Sequence, residues 1–231
     1  MTQDNDASTY RANGAREWVK ILSEYREPNT LRSSVELAIT VGAFVLLWAL
    51  AWYVMSTSPV LTFVISLCNA AFLLRLFIIQ HDCGHSAFLK NRVLSDWLGR
   101  VLGIVTLTPY DVWRSSHALH HSSSGNLGRR GMGDVHTLTV VEYQGKTPLK
   151  RLLYRLYRHP LVLFGLGPGY LFLLQNRLPL GLTGQAKYWV SSMGTNAVIF
   201  FALSVMFNFG GVMPILLIFL PSTLLAASAG V

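Results

Sequence analysis

Two short histidine clusters, His81-Asp82-Cys83-Gly84-His85 and His117-Ala118-Leu119-His120-His121, hold five of the seven histidines in this 231-residue protein. In a helix, His81 and His85 at i and i+4 project from one face, as do His117, His120 and His121 at i, i+3 and i+4. Neutral imidazole is the commonest protein metal ligand. It suits iron, zinc, copper and nickel alike, so the residues imply a metal without naming it. Five nitrogens exceed the four that one structural zinc takes, and a two-metal site is the economical reading. The nearest carboxylates, Asp82, Asp111 and Asp134, are candidates to accept the other N–H of a ligating imidazole. Asp111, in Pro109-Tyr110-Asp111, reads equally well as a turn or helix-cap residue. The two remaining histidines have ordinary readings, His136 in a polar stretch after a Gly-rich turn and His159 at an Arg158-His159-Pro160 helix stop.

The elements that must position these side chains lie in a bilayer. With 52% hydrophobic and 13% charged residues, and a mean hydropathy of +0.40, the protein is too apolar for a soluble domain of its size. A spanning helix needs about 20 mostly apolar residues, and 35–55, 59–79, 190–209 and 212–231 qualify. The expected organisation is therefore a polar segment at 1–34, a transmembrane hairpin at 35–79, a cap at 80–189 bearing both clusters, and a second hairpin at 190–231. The first 34 residues lack the apolar core and small-residue cleavage site of a signal peptide. Cys68 and Cys83 give no disulfide framework.

Charge placement sets the orientation. Five Lys and Arg precede the first span, thirteen lie between Lys90 and Lys187, and the connections at 56–58 and 210–211 have none. The positive-inside rule then puts the amino terminus and the cap in the cytoplasm. Within the cap, 93–107 places Val93, Leu94, Trp97, Leu98, Val101, Leu102 and Val105 on one face of an interfacial helix, with Asp96 and Arg100 as an i,i+4 pair. Residues 149–158 set Leu149, Leu152, Leu153 and Leu156 against Lys150, Arg151, Arg155 and Arg158, a basic face suited to anionic headgroups, the alternative being a core-packed helix. The glycine-rich 160–175 run reads as interfacial or re-entrant.

The second span rises about 32 Å over its 21 residues, so His81 and His85 fall within about two turns of the cytoplasmic surface if the helix continues. Arg75 is placed to snorkel, Asn69 to hydrogen-bond between helices, and Trp113 and Arg114 either to line an entrance to the site or, the simpler reading, to anchor at the interface. Gly125, Gly128, Gly131 and Gly133, with Arg129 and Arg130, form a loop near the clusters and lack the context of a phosphate site.

The stretches HDCGHSAF (81–88), TPYDVWRSSHALHH (108–121), GNLGRRGMGDV (125–135) and TLTVVEY (137–143) resemble the membrane fatty acid desaturase family, specifically its bacterial acyl-lipid branch. The resemblance runs from about residue 35 to the last residue, and H-x-x-x-H and H-x-x-H-H occur in the family's order after a two-span hairpin. It implies an all-α integral protein of the inner, cytoplasmic membrane: four transmembrane helices in two hairpins and a cytoplasmic cap of interfacial helices carrying the histidine boxes. It further implies two irons held by His81, His85, His117, His120 and His121, with dioxygen as co-substrate. An acyl lipid or acyl-carrier substrate, a ferredoxin or b-type cytochrome-like electron donor and membrane lipids are the implied partners; no nucleic acid is. The family's third histidine box has no counterpart before Val231, so the protein is expected to be a carboxy-terminally incomplete and inactive desaturase. Alternatives are a membrane diiron hydroxylase of the same scaffold and a non-catalytic membrane metal-binding protein. Haem needs only one or two axial ligands, which five clustered histidines exceed.

Overall fold

A computed structural model describes residues 17–18, 27–130 and 135–230, and every regular element among them is helical. Asp134, Gly131, Gly133 and most of the amino-terminal segment lie outside the described residues. Three helices are long and apolar enough to cross a membrane: α1 (Thr30–Val54), α2 (Pro59–Gly84) and, later in the sequence, Ala186–Gly210. Short polar side chains start the first two, Asn29 accepting from the Arg32 amide and Ser58 from that of Leu61, which satisfies amides that have no partner within the helix. Both helices run about one turn beyond the apolar stretches that mark them in the sequence, because polar residues extend a helix once it leaves the hydrocarbon.

The fourth apolar stretch differs from expectation. Its apolar helix, Ile215–Ala229, falls in the 10–17-residue class, short of the about 20 residues that cross a bilayer unaided. Five residues of it, Ile215–Phe219, are wound as a π-helix, with the Leu220 amide donating to the Ile215 carbonyl five residues back. The same widening occurs at Val162–Leu166, where the Gly167 amide donates to Val162. Each widened turn precedes a proline, Pro221 or Pro168, whose missing N–H and bulky ring displace the carbonyl four residues back. The predicted interfacial or re-entrant segment is thus a π turn followed by a short helix, Gly167–Leu173.

Small side chains let the long helices approach. Ala51 meets Ile65 and Ile218, and Ala70 and Leu73 meet Ala226, which sets the last helix parallel to α2. Membrane helices associate through such close packing, since lipid tails are as apolar as leucine. Of two polar expectations, one is corrected here and the other gains a partner. Asn69 is fully buried, yet neither atom of its amide has a hydrogen-bond partner. Arg75 is held by Glu36 of α1 at 3.2 Å, so it pairs with a neighbouring helix.

Between the long helices lie α3 (Arg92–Val105), α4 (Tyr110–Ser123), α5 (Val140–Gln144), α6 (Pro148–Tyr157) and α7 (Gly167–Leu173), and the third long helix is α8 (Ala186–Gly210). The apolar stripe of α3 is split: Val93, Leu94, Trp97 and Val101 are exposed, while Leu102 is buried against Leu76, Ile79 and Tyr110. Among the described residues α6 buries none of its own, and all four of its leucines are exposed. Tyr154 and Tyr157 of α6 use their hydroxyls to accept the Leu138 and His136 amides. Arg130 grips Glu142 through both guanidinium nitrogens, and with the Thr139 bonds this holds the Glu142 carboxyl down at about 2.

Candidate metal centre

α2 has 26 residues, a rise of about 39 Å against a hydrocarbon thickness of about 30 Å. Its last turns therefore stand clear of the apolar slab, and they carry the first histidine cluster. The helix stops immediately behind it. The Ser86 amide donates to Cys83 and the Ala87 amide to Asp82, the paired bonds of a helix end closed by a left-handed residue. Ser86 takes that conformation at φ 58°, a position glycine usually fills. His81 in the final turn and His85 at the cap are left side by side, with ring centroids 4.5 Å apart.

α4 carries the second cluster, and its seat is electrostatic. Asp111 in its first turn receives two bonds from Arg100 of α3, at 2.9 and 3.0 Å. Asp96 of α3 accepts from Arg114 at 2.9 Å and from the Tyr110 hydroxyl at 2.8 Å. The expected Asp96–Arg100 pair within α3 is thus replaced by two bridges to α4. Burial, then the bond to Asp96, raises the Tyr110 phenol, which keeps it a donor. From the other side, α8 offers Ser191 to the Asp111 amide and Tyr188 to Ser115. Charge-assisted bonds of this kind are the strong ones, and five polar contacts on one 14-residue helix leave it little freedom.

With both helices fixed, four imidazoles converge. One ligand atom each from His81, His85, His117 and His121 lies within 4.8 Å of all the others. His117 is the hub, its Nε2 being 3.1 Å from His85 Nε2 and 3.0 Å from His121 Nε2. Metal–imidazole bonds are about 2.0–2.1 Å, so two donors on one ion lie at most about 4.2 Å apart. The four donors need close by only about half an ångström, and the set fits a metal. His120 faces the edge of this group, its ring 5.9 Å from that of His117 and 5.6 Å from that of His121. Burial, reinforced by the neighbouring imidazoles, holds His117 down at about 4 and lowers His85. Both are neutral at physiological pH, the form that ligates metal.

A family model described as fatty acid desaturase matches residues 57–230. The protein belongs to that family. A fatty acid desaturase of Bacillus subtilis is 41% identical over 166 residues, covering 72% of this sequence and 47% of the relative. A Synechocystis sn-1 acyl-lipid omega-3 desaturase (ferredoxin) is 35% identical over 44% of this sequence and 28% of its own length. A Delta(12)-fatty-acid desaturase of Arabidopsis thaliana is 33% identical over 37% of this sequence and 23% of its own. The match thus spans less than half the length of these relatives. No solved structure matches.

In this desaturase family member the remaining candidates separate by position. Asp82 Oδ1 stands 3.3 Å from His81 Nδ1, close enough to orient that ring. Asp111 spends its carboxylate on Arg100 and serves the seat of α4. His136 and His159 are exposed and engaged locally, the first through its amide to Tyr157 and the second accepting from the Leu161 amide. Reasoning from sequence missed Trp113. Expected to line an entrance or to anchor at the interface, it lies flat on His117, ring centroids 4.7 Å apart and 15° from parallel. The signal was its i−4 spacing from a histidine.

Proposed function

We propose that this protein holds the metal centre of a membrane acyl desaturase, which converts a C–C single bond of a lipid acyl group to a double bond. The observation that carries this reading is the convergence of His81, His85, His117 and His121 at the end of a membrane-length helix. With His120 they would hold two irons, which supply the dioxygen activation that an unactivated C–H bond in the middle of a lipid tail demands. Electrons balance if dioxygen takes two from the acyl group and two from a ferredoxin or b-type cytochrome-like donor, leaving two waters.

The protein's own groups do the placing. Asp82 accepts the Nδ1–H of His81 and so turns Nε2 toward the cluster. A narrow apolar cleft lined by Leu73, Leu74, Phe77, Phe172 and Ala226 adjoins the site, Phe77 touching Trp113 edge-on at 5.7 Å. Phe77 and Trp113 thus separate the cleft from the imidazoles by two aromatic rings, an apolar flank suited to a lipid tail beside the site. The aliphatic faces of α3 and α6 rest at the cytoplasmic surface of the inner membrane, and the three membrane-length helices pair with the shorter Ile215–Ala229 in two hairpins whose tips face outward.

In a host with no desaturase of its own, lipid profiling should show new unsaturated acyl groups when the chain is expressed with a carboxy-terminal segment that supplies the family's third histidine box, and none when His117→Ala is introduced into that protein. Hydroxylated acyl groups in their place would move the protein to the hydroxylase reading, and no iron in the purified protein would discard both. The topology has its own test in a cysteine-free background. A cysteine at Ser56 should react with an impermeant maleimide in intact cells, and one at Lys146 only after lysis; the reverse pattern defeats the orientation.

A further inference from the structure

We infer that Trp113 is a positioning residue for the metal: seated in the space left open by Gly84, it lies flat on His117 and fixes the plane in which that imidazole presents Nε2. This rests on the metal-centre reading above.

Three contacts define the indole. A β-carbon on residue 84 would stand 2.8 Å from Trp113 Cζ3 and 3.4 Å from Cη2, closer than β-carbons come to their neighbours, so only glycine lets the ring sit there. The edge of Phe77, itself edge-on to Phe172, closes the cleft side. The third contact is the parallel face of His117. The terminal torsion of a histidine is broad and roughly two-fold, so an imidazole with only its backbone to guide it samples many planes. A flat partner held on its far side removes that freedom. The consequence is greatest at His117, whose Nε2 neighbours both His85 and His121. Gly84 lies inside the first histidine cluster, on α2, and Trp113 one turn ahead of the second, on α4. The pair therefore ties the two ligand helices in register at the level of the donors.

The test titrates Co2+ into the purified, metal-stripped full-length protein, reading affinity and the d–d absorption spectrum, with helix content from circular dichroism as control. Losing the support of a ligand costs about 10–100-fold in metal affinity. Trp113→Leu should thus weaken Co2+ binding about tenfold or more and shift the d–d bands, while Trp113→Phe, which keeps a flat face, should retain the spectrum. Gly84→Ala should cost about as much in the native background but less than about twofold beside Trp113→Leu, because residues in contact are non-additive. Should Trp113→Leu lose helix content, the pairing of Gly84→Ala with Trp113→Phe carries the same comparison. Unchanged affinity and spectrum in a folded Trp113→Leu protein overturn the inference, as does a Gly84→Ala cost that stays the same in every background. No Co2+ uptake by the unchanged protein removes the metal-centre reading and this inference with it.

Discussion

Alanine at His117 should abolish metal binding, whereas alanine at His136 or His159 should leave it within about twofold of the unchanged protein. The asymmetry follows from geometry: two other donor nitrogens stand 3.0 and 3.1 Å from His117 Nε2, so its loss opens the middle of the set. Removal of a ligand's outer partner already costs about 10–100-fold, and removal of the central ligand should exceed the upper end of that range. Asp82→Asn should fall inside it, since a 3.3 Å contact to His81 is weakened and every ligand is kept. Equilibrium dialysis against Fe2+ under anaerobic conditions, with metal counted by atomic emission, measures all four. Equal losses at His117 and His136 would mean that the ligand set is wrongly drawn.

Gly103→Ala is expected to be the most damaging added methyl in the described fold. Its β-carbon would lie 2.4 Å from the backbone oxygen of Thr108, and the Thr108 amide donates to Gly103 O at 2.7 Å. Neither group can step aside without moving the start of α4. Overpacking of this kind costs about 1–3 kcal/mol, and for a domain of this size each kcal/mol lowers the melting temperature by roughly 2–4 °C. Gly42→Ala makes the control, because nothing lies within 4 Å of a β-carbon there. In a Cys68→Ala background, which removes the exposed thiol, a thiol-reactive dye following the buried Cys83 reads both melts in detergent. Coincident melts for the two variants would show that the α3–α4 approach tolerates the methyl.

How far the sequence revealed this arrangement depended on whether the relevant partners were local. The histidine clusters were legible because i, i+3 and i+4 spacing is a property of one helix. The spans were legible because composition alone selects lipid. The ion pairs were not: Asp96 and Arg100 satisfy a helical spacing rule, yet their partners, Arg114 and Asp111, come from another helix that packing brings alongside. Trp113 failed for the same reason, its seat being a glycine on α2. The fourth apolar stretch was legible in part, because hydropathy counts residues and does not show the π turn that precedes Pro221. Buried Asn69, expected to bond across helices, has no such bond.

The contacts that seat the ligand helices are worth comparing with the ligands themselves. Asp96–Arg114, Arg100–Asp111, Ser115–Tyr188 and the helix stop at Ser86 involve no imidazole nitrogen. In a zinc finger the metal supplies the folding free energy, and chelation unfolds the domain. Here the contacts that seat α2 and α4 do not pass through the imidazoles. If the site takes metal as proposed, chelation should therefore empty it and leave the helices standing, the opposite of a zinc finger's response.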